Sequence, residues 1–160
     1  MIKIGDKIPA GMFKTFTGLT FEEYSFPDLL KGKKVVLLGL PGAFTPTCDM
    51  KHLPSFVELA DAIKSKGVDM IICVSVNDPF VMNAWSDSLE AEGKVLLLSD
   101  WDASFAKAMG MDFDGSAFGM GTRSLRYNAV VEDGVLMHVD VEEDPGACGI
   151  TKASEILKYL

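Results

Sequence analysis

Lys34-Val35-Val36-Leu37-Leu38-Gly39-Leu40, running straight into Pro41-Gly42-Ala43-Phe44-Thr45-Pro46-Thr47-Cys48, is the stretch that decides the fold. An apolar run without polar alternation reads as a strand buried on both faces, as at the centre of a parallel sheet. A helix is expected next, over about Cys48 to Lys66, because Leu53, Phe56, Val57, Ala60 and Ile63 recur at helical spacing and Gly67 supplies a stop. Cys48 then falls at a strand-to-helix turn, at or near the helix N-terminus. Pro54 lies inside this helix and is expected to kink it, since proline removes one backbone donor and clashes with the preceding turn.

Working outward, Met70 to Val76 reads as a second buried strand, and Asn77-Asp78-Pro79 as the cap of a helix over Phe80 to Glu90. Strand, helix, strand is the parallel crossover pattern. Val95 to Leu98 reads as a strand, Ala103 to Met109 as a short helix stopped by Gly110, and the chain from there through Gly121 as a glycine-rich loop. Tyr127 to Val131 and Val135 to Val139 flank Glu132-Asp133-Gly134, a strong hairpin signal. A last helix is expected over Thr151 to Leu160, and the region before Lys34 reads as irregular or short-stranded. A βαβ unit followed by an antiparallel hairpin and a helix is the wiring of the thioredoxin fold. The expected class is therefore α/β, a central mixed sheet flanked by helices, with an N-terminal extension and an inserted helix and strand.

The 160 residues fit a single domain, 1–160, with 48% hydrophobic and 24% charged residues and no linker-like segment. A net charge of -8 argues against nucleic acid, whose binding needs a surface rich in Lys and Arg. No apolar run is long enough to span a membrane, and the opening Met1-Ile2-Lys3-Ile4-Gly5-Asp6 lacks the form of a signal peptide. Three widely spaced cysteines, Cys48, Cys73 and Cys148, do not make a disulfide scaffold. A soluble protein of the cytoplasm, where thiols stay reduced, is the expectation.

A thiol is a useful nucleophile only as thiolate, and a free cysteine near pKa 8.5 is mostly protonated at neutral pH. The unpaired N–H groups and dipole of a helix start favour the anion, so the turn at Cys48 is a suitable seat for a reactive sulfur. Pro41 and Pro46 stiffen the turn, and Thr45 carries a hydroxyl three residues before the sulfur. Attack on an O–O bond also calls for a fixed cation to stabilise the departing oxygen. Arg123 and Arg126, in Arg123-Ser124-Leu125-Arg126-Tyr127, are both candidates, and spacing does not choose between them.

The string Pro41 to Cys48, continued by Lys51-His52-Leu53-Pro54 and by Ser75-Val76-Asn77-Asp78-Pro79-Phe80-Val81-Met82, resembles the type II peroxiredoxins, the peroxiredoxin 5-like subfamily. The resemblance runs from about Gly5 to the C-terminus. It implies that Cys48 is the peroxidatic cysteine, Thr45 its hydroxyl partner and Pro41 a shield of the pocket. The family's active-site arginine directly precedes an aromatic residue, which maps it onto Arg126 before Tyr127, with Arg123 as supporting or alternative cation. The implied cycle is attack of Cys48 on hydrogen peroxide or an alkyl hydroperoxide to leave a sulfenic acid, then reduction by glutathione, glutaredoxin or thioredoxin. No metal or organic cofactor is implied, and a homodimer is.

The regenerating step stays open at this stage. Cys148 lies in Pro145-Gly146-Ala147-Cys148-Gly149, a loop suited to a resolving cysteine, yet the family's resolving position falls at Ile150. Cys73, within an apolar strand, reads as structural. His52 lies four residues after Cys48 and reads as a packing or supporting residue rather than a catalytic partner, and His138 carries no functional reading. Phe44 and Phe80 are candidates for an interface, and the run Asp140 to Asp144 reads as a solvated loop. A disulfide oxidoreductase would need a Cys-x-x-Cys pair, which Cys48-Asp49-Met50-Lys51 does not supply. A cysteine phosphatase would need an arginine in the six residues after Cys48, and none is there. The remaining alternative is a peroxide-responsive sensor or holdase without turnover.

Overall fold

Val35, Val36, Leu37, Leu38 and Leu40 are buried in the computed structural model, which describes residues 1–160, because both faces of the sheet they build are covered. Strand β3 (Lys34–Leu40) runs parallel to β4 (Met70–Ser75), which runs parallel to β5 (Leu96–Ser99). On the other side of β3 lies the hairpin of β8 (Tyr127–Glu132) and β9 (Val135–Val141), and beyond β5 the hairpin of β1 (Gly11–Phe16) and β2 (Phe21–Phe26), every pairing there antiparallel. The mixed sheet has the order β2-β1-β5-β4-β3-β8-β9.

Alternation along β3 divides the core. Val36, Leu38 and Leu40 meet α1 (Leu53–Glu58), α2 (Ala60–Lys64), α3 (Pro79–Ser88) and α5 (Ala153–Ile156) through Phe56, Ile63, Trp85 and Ile156. Val35 and Leu37 meet α4 (Ser104–Met109) and the N-terminal region through Phe105, Met109, Phe13 and Phe26. Gly39 has no side chain because the Tyr127 ring lies across it from β8, where an added Cβ would stand 2.2 Å from Cε1.

Several expectations need correction. The long helix after Cys48 is a π-helical turn over Cys48–His52 followed by α1 and α2, which are separated at Leu59. Pro54 explains the π turn: it cannot donate to the carbonyl four residues back, and widening the turn ahead of it removes the clash. The irregularity thus precedes the proline and starts at Cys48. The last helix is shorter than expected, α5 giving way to a 3₁₀ turn over Leu157–Tyr159. The glycine-rich loop contains a small sheet of β6 (Asp112–Asp114) and β7 (Thr122–Ser124) around a 3₁₀ turn. The region before Lys34, expected to be irregular or short-stranded, holds one hairpin of two six-residue strands, β1–β2, between irregular stretches. The Asp78 cap is present, its Oδ1 accepting from the Val81 N–H at 2.9 Å. The β8–β9 turn places Asp133 and Gly134 at φ 47° and 76°, the left-handed pair that suits a two-residue hairpin.

Candidate active site

The end of β3 delivers Pro41 to Thr47 as a compact loop, and its backbone is tied down from three sides. Asn77, just past β4, accepts from the Ala43 N–H at 2.9 Å. Arg123, on β7, donates through Nη1 to the Pro41 carbonyl at 3.2 Å and through Nε to the Met120 carbonyl at 2.9 Å. Trp85, on α3, donates to Asp49 Oδ1 at 2.8 Å, fixing the first residue after Cys48. An added Cβ at Gly42 would stand 2.5 Å from Arg123 Nη1, so a larger residue here would displace the end of that side chain. Phe44 takes φ 62° and points outward.

Cys48 opens the π turn, and its side chain is fully buried on the α1–α3 face of the sheet. Strand alternation explains what meets it. Tyr127, Ala129 and Val131 point to the opposite face, so Arg126, Asn128 and Val130 point toward Cys48. Arg126 Nη2 donates to Cys48 Sγ at 3.1 Å and to the Pro145 carbonyl at 3.0 Å, and Nη1 lies 2.9 Å from His52 Nδ1. Nε of the same guanidinium is buried and has no hydrogen-bond partner. Of the two arginines that spacing leaves open, Arg126 faces the sulfur and Arg123 braces the loop around it.

His52 is buried beneath Cys48, with Nε2 2.8 Å from Asn128 Oδ1. Burial, and secondarily the charge of Arg126, pushes its pKa down to about 3, so the ring is neutral and can accept from the guanidinium. Asn128 Nδ2 donates in turn to the Thr151 carbonyl. Thr45, expected to bond the sulfur or a substrate oxygen, donates its hydroxyl to the Gly42 carbonyl at 2.7 Å, which closes the turn on itself and leaves its oxygen as an acceptor.

Cys148 is half-buried in a loop held against the Cys48 turn, where Thr47 Oγ1 donates to the Gly146 carbonyl at 2.7 Å. Glu142, expected in a solvated loop, is instead buried, its Oε1 accepting from Gly149 N, Thr151 N and Thr151 Oγ1. Cys73 lies in β4 opposite Leu38, and burial pushes its thiol pKa up, so it is poorly disposed to react where it stands. His138 pairs with Asp140 and stacks on Tyr159. Asn77, Asn128, Glu142 and Thr151 escape sequence reasoning, although an asparagine at an inward position of an otherwise apolar strand is a usable signal for the second.

A cavity of about 450 Å³ lies among the β1–β2 hairpin, α3 and the starts of β4 and β5, lined by Phe16, Met70, Met82 and Leu97 among others, and does not include Cys48. Size alone does not mark the chemistry here. No group of three or more His, Cys, Asp or Glu is arranged to hold a metal ion. The arrangement supports one chemistry: a buried sulfur against a fixed cation, with an unused donor beside it, suited to attack on a small electrophile that releases an anion.

The family model described as Redoxin matches residues 3–158. Peroxiredoxin-2C of Oryza sativa subsp. japonica is 44% identical over 160 residues, covering 99% of this chain and 98% of its own. Mitochondrial peroxiredoxin-2F of Arabidopsis thaliana is 46% identical over 140 residues, covering 88% of this chain and 70% of its own. Among solved structures, reduced Prx3 of Vibrio vulnificus in complex with H2O2 superposes with a TM-score of 0.93 at 44% identity, over 99% of this chain and 96% of that one.

Proposed function

The chain belongs to the Redoxin family, as a thiol-dependent peroxidase of the peroxiredoxin kind within the thioredoxin-like superfamily, and from that premise we propose that Cys48 is its peroxidatic residue and Arg126 its catalytic cation. The observation that carries the assignment is the contact of Arg126 Nη2 with Cys48 Sγ at 3.1 Å beside the unpartnered Nε. The guanidinium stands against the sulfur and has a donor left for a peroxide oxygen. The sulfur attacks one oxygen of hydrogen peroxide or an alkyl hydroperoxide, an S–O bond forms as the O–O bond breaks, and the other oxygen leaves as water or alcohol after taking a proton. Cys48 becomes a sulfenic acid. Thr45, whose oxygen remains free to accept, is the proposed partner of the peroxide proton, and Pro41 and Arg123 keep the loop closed.

Regeneration takes two thiols: the first displaces water from the sulfenic acid to give a disulfide, and the second reduces it. Glutathione, glutaredoxin or thioredoxin is the proposed reductant. Cys148 is the candidate for the first thiol, supported by the Thr47–Gly146 and Arg126–Pro145 bonds that hold its loop at the Cys48 turn. A homodimer belongs to the same proposal, supported by Phe44 and Phe80, which stay 50% and 55% exposed. So does a cytoplasmic location, where a thiol-regenerated cycle finds reducing conditions. Mass spectrometry of peroxide-treated protein, with and without glutathione, tests the cycle: a sulfenate, a Cys48–Cys148 disulfide or a glutathione adduct at Cys48 supports it, and an unmodified Cys48 overturns it. Sustained peroxide consumption with excess thiol separates an enzyme from a sensor that oxidises once.

A further inference from the structure

The hydrogen bonds behind Arg126 close into a ring. Its guanidinium donates to His52 Nδ1, His52 Nε2 faces Asn128 Oδ1, and Asn128 Nδ2 donates to the Thr151 carbonyl. Thr151 donates through both N and Oγ1 to Glu142 Oε1, and the Glu142 N–H returns to the Arg126 carbonyl at 3.0 Å. Two of its members, His52 and Asn128, could each reverse polarity on their own, whereas the Arg126 guanidinium only donates and the Glu142 carboxylate only accepts. An amide can swap N for O, and an imidazole can carry its proton on either nitrogen.

The two ends of the run remove that freedom together, since the Thr151 carbonyl can only accept and the Arg126 guanidinium can only donate. The carbonyl requires the Nδ2 end of Asn128, which turns Oδ1 toward His52. That oxygen requires the proton on His52 Nε2, which leaves Nδ1 as a bare acceptor facing Arg126. With either group reversed, two donors or two acceptors would meet in a site that is closed to water, His52 and Asn128 both being fully buried. Glu142 supplies the anchor of the ring: its carboxylate gathers three donors from residues 149 and 151 and so fixes where the Thr151 carbonyl stands.

We propose that Asn128, Thr151 and Glu142 are positioning residues of the peroxidase site, which lock His52 with its proton on Nε2 and thereby hold the Arg126 guanidinium against Cys48. The proposal rests on the assignment of Cys48 and Arg126 above. It also ties the segment that carries Cys148 to the peroxide step, because residues 142 and 151 bracket that cysteine.

Three measurements on the full chain test it. Ring-nitrogen NMR of the parent, assigned against a His138→Gln variant, is expected to show His52 neutral with its proton on Nε2. A proton on Nδ1, or a charged ring at neutral pH, overturns the proposal. Asn128→Leu is expected to slow the bimolecular reaction with hydrogen peroxide by roughly ten- to a hundredfold, as misplacement of a catalytic group does, while alkylation by iodoacetamide slows much less. Equal slowing of both reactions traces to the sulfur itself rather than to the guanidinium's placement for peroxide, and faster alkylation to a loosened fold that exposes Cys48; either overturns the proposal. Should Asn128→Leu not fold, the Glu142 pair decides: Glu142→Ala is expected to lose peroxide rate and Glu142→Gln, which keeps an accepting oxygen, to recover most of it. Equal loss in the two variants is a negative result. If the parent itself consumes no peroxide, the peroxidase assignment falls, whereas the ring-nitrogen spectrum still judges the lock.

Discussion

Replacing one atom tests the centre of the site. Cys48→Ser is expected to abolish peroxide consumption in a coupled assay, and residual turnover at the parent rate would remove Cys48 from the chemistry. Arg126→Gln is expected to lower the peroxide rate constant by about a hundredfold or more, the scale for losing a fixed transition-state donor. Arg123→Gln, which loses only its bonds to the Pro41 and Met120 carbonyls, should cost far less, and equal effects would refute the division of labour between them. His52 gives a prediction in pH. Its folded pKa of about 3 lies below the ordinary 6.5, so the unfolded chain binds a proton that the folded one excludes. Stability from this residue is therefore complete above about pH 6.5 and falls as the solution is acidified toward 3, by about 1.4 kcal/mol per pH unit inside the window. Urea titrations from pH 7 to 4.5 should show that slope in the parent and a flatter one in His52→Gln. An unchanged slope would place the proton uptake elsewhere.

Elements carry predictions of a different kind, because they set where these residues stand. Gly39→Ala drives a methyl group into the Tyr127 ring, and overpacking of this sort costs about 1–3 kcal/mol. Since Tyr127 adjoins Arg126, the variant should lose peroxide rate together with its denaturant midpoint. Asp78→Ala removes the cap of α3 at about 1 kcal/mol and should leave the peroxide rate alone, so a matching loss of rate would show that fraying of its first turn reaches the Trp85–Asp49 bond. The buried strands β3 and β4, the turn at Cys48, the Asp78 cap and the Asp133–Gly134 hairpin were all legible in the sequence, since each is written in residues adjacent along the chain. The β6–β7 pair, the π turn and the ring through Asn128, Thr151 and Glu142 were not. The ring joins partners far apart in sequence, with Thr151 contributing a backbone carbonyl that any residue could supply, while the π turn is a local adjustment ahead of Pro54 that apolar spacing does not distinguish from an α-helix.

For the whole molecule, the sheet arrangement explains why one end holds all the chemistry. The end of parallel β3 and the start of antiparallel β8 lie side by side, as the pairing of Gly39 with Tyr127 shows, so Cys48 and Arg126 are carried to the same place by neighbouring strands. Phe80→Glu puts a charge on the proposed dimer surface, and sedimentation should show a shift from dimer toward monomer. A sedimentation coefficient unchanged by the substitution would move the interface away from α3. The complete burial of the Cys48 sulfur has a kinetic consequence. Hydrogen peroxide is small enough to reach a sheltered sulfur, but the thiol of a protein or of glutathione is not. If the proposed cycle holds, the turn has to come away from Arg126 between one peroxide and the next for the sulfenic acid to be collected. On the proposed cycle, that waiting time is the time in which a second peroxide can find the sulfenic acid, so the bonds proposed to make Cys48 reactive would also set how soon it wears out.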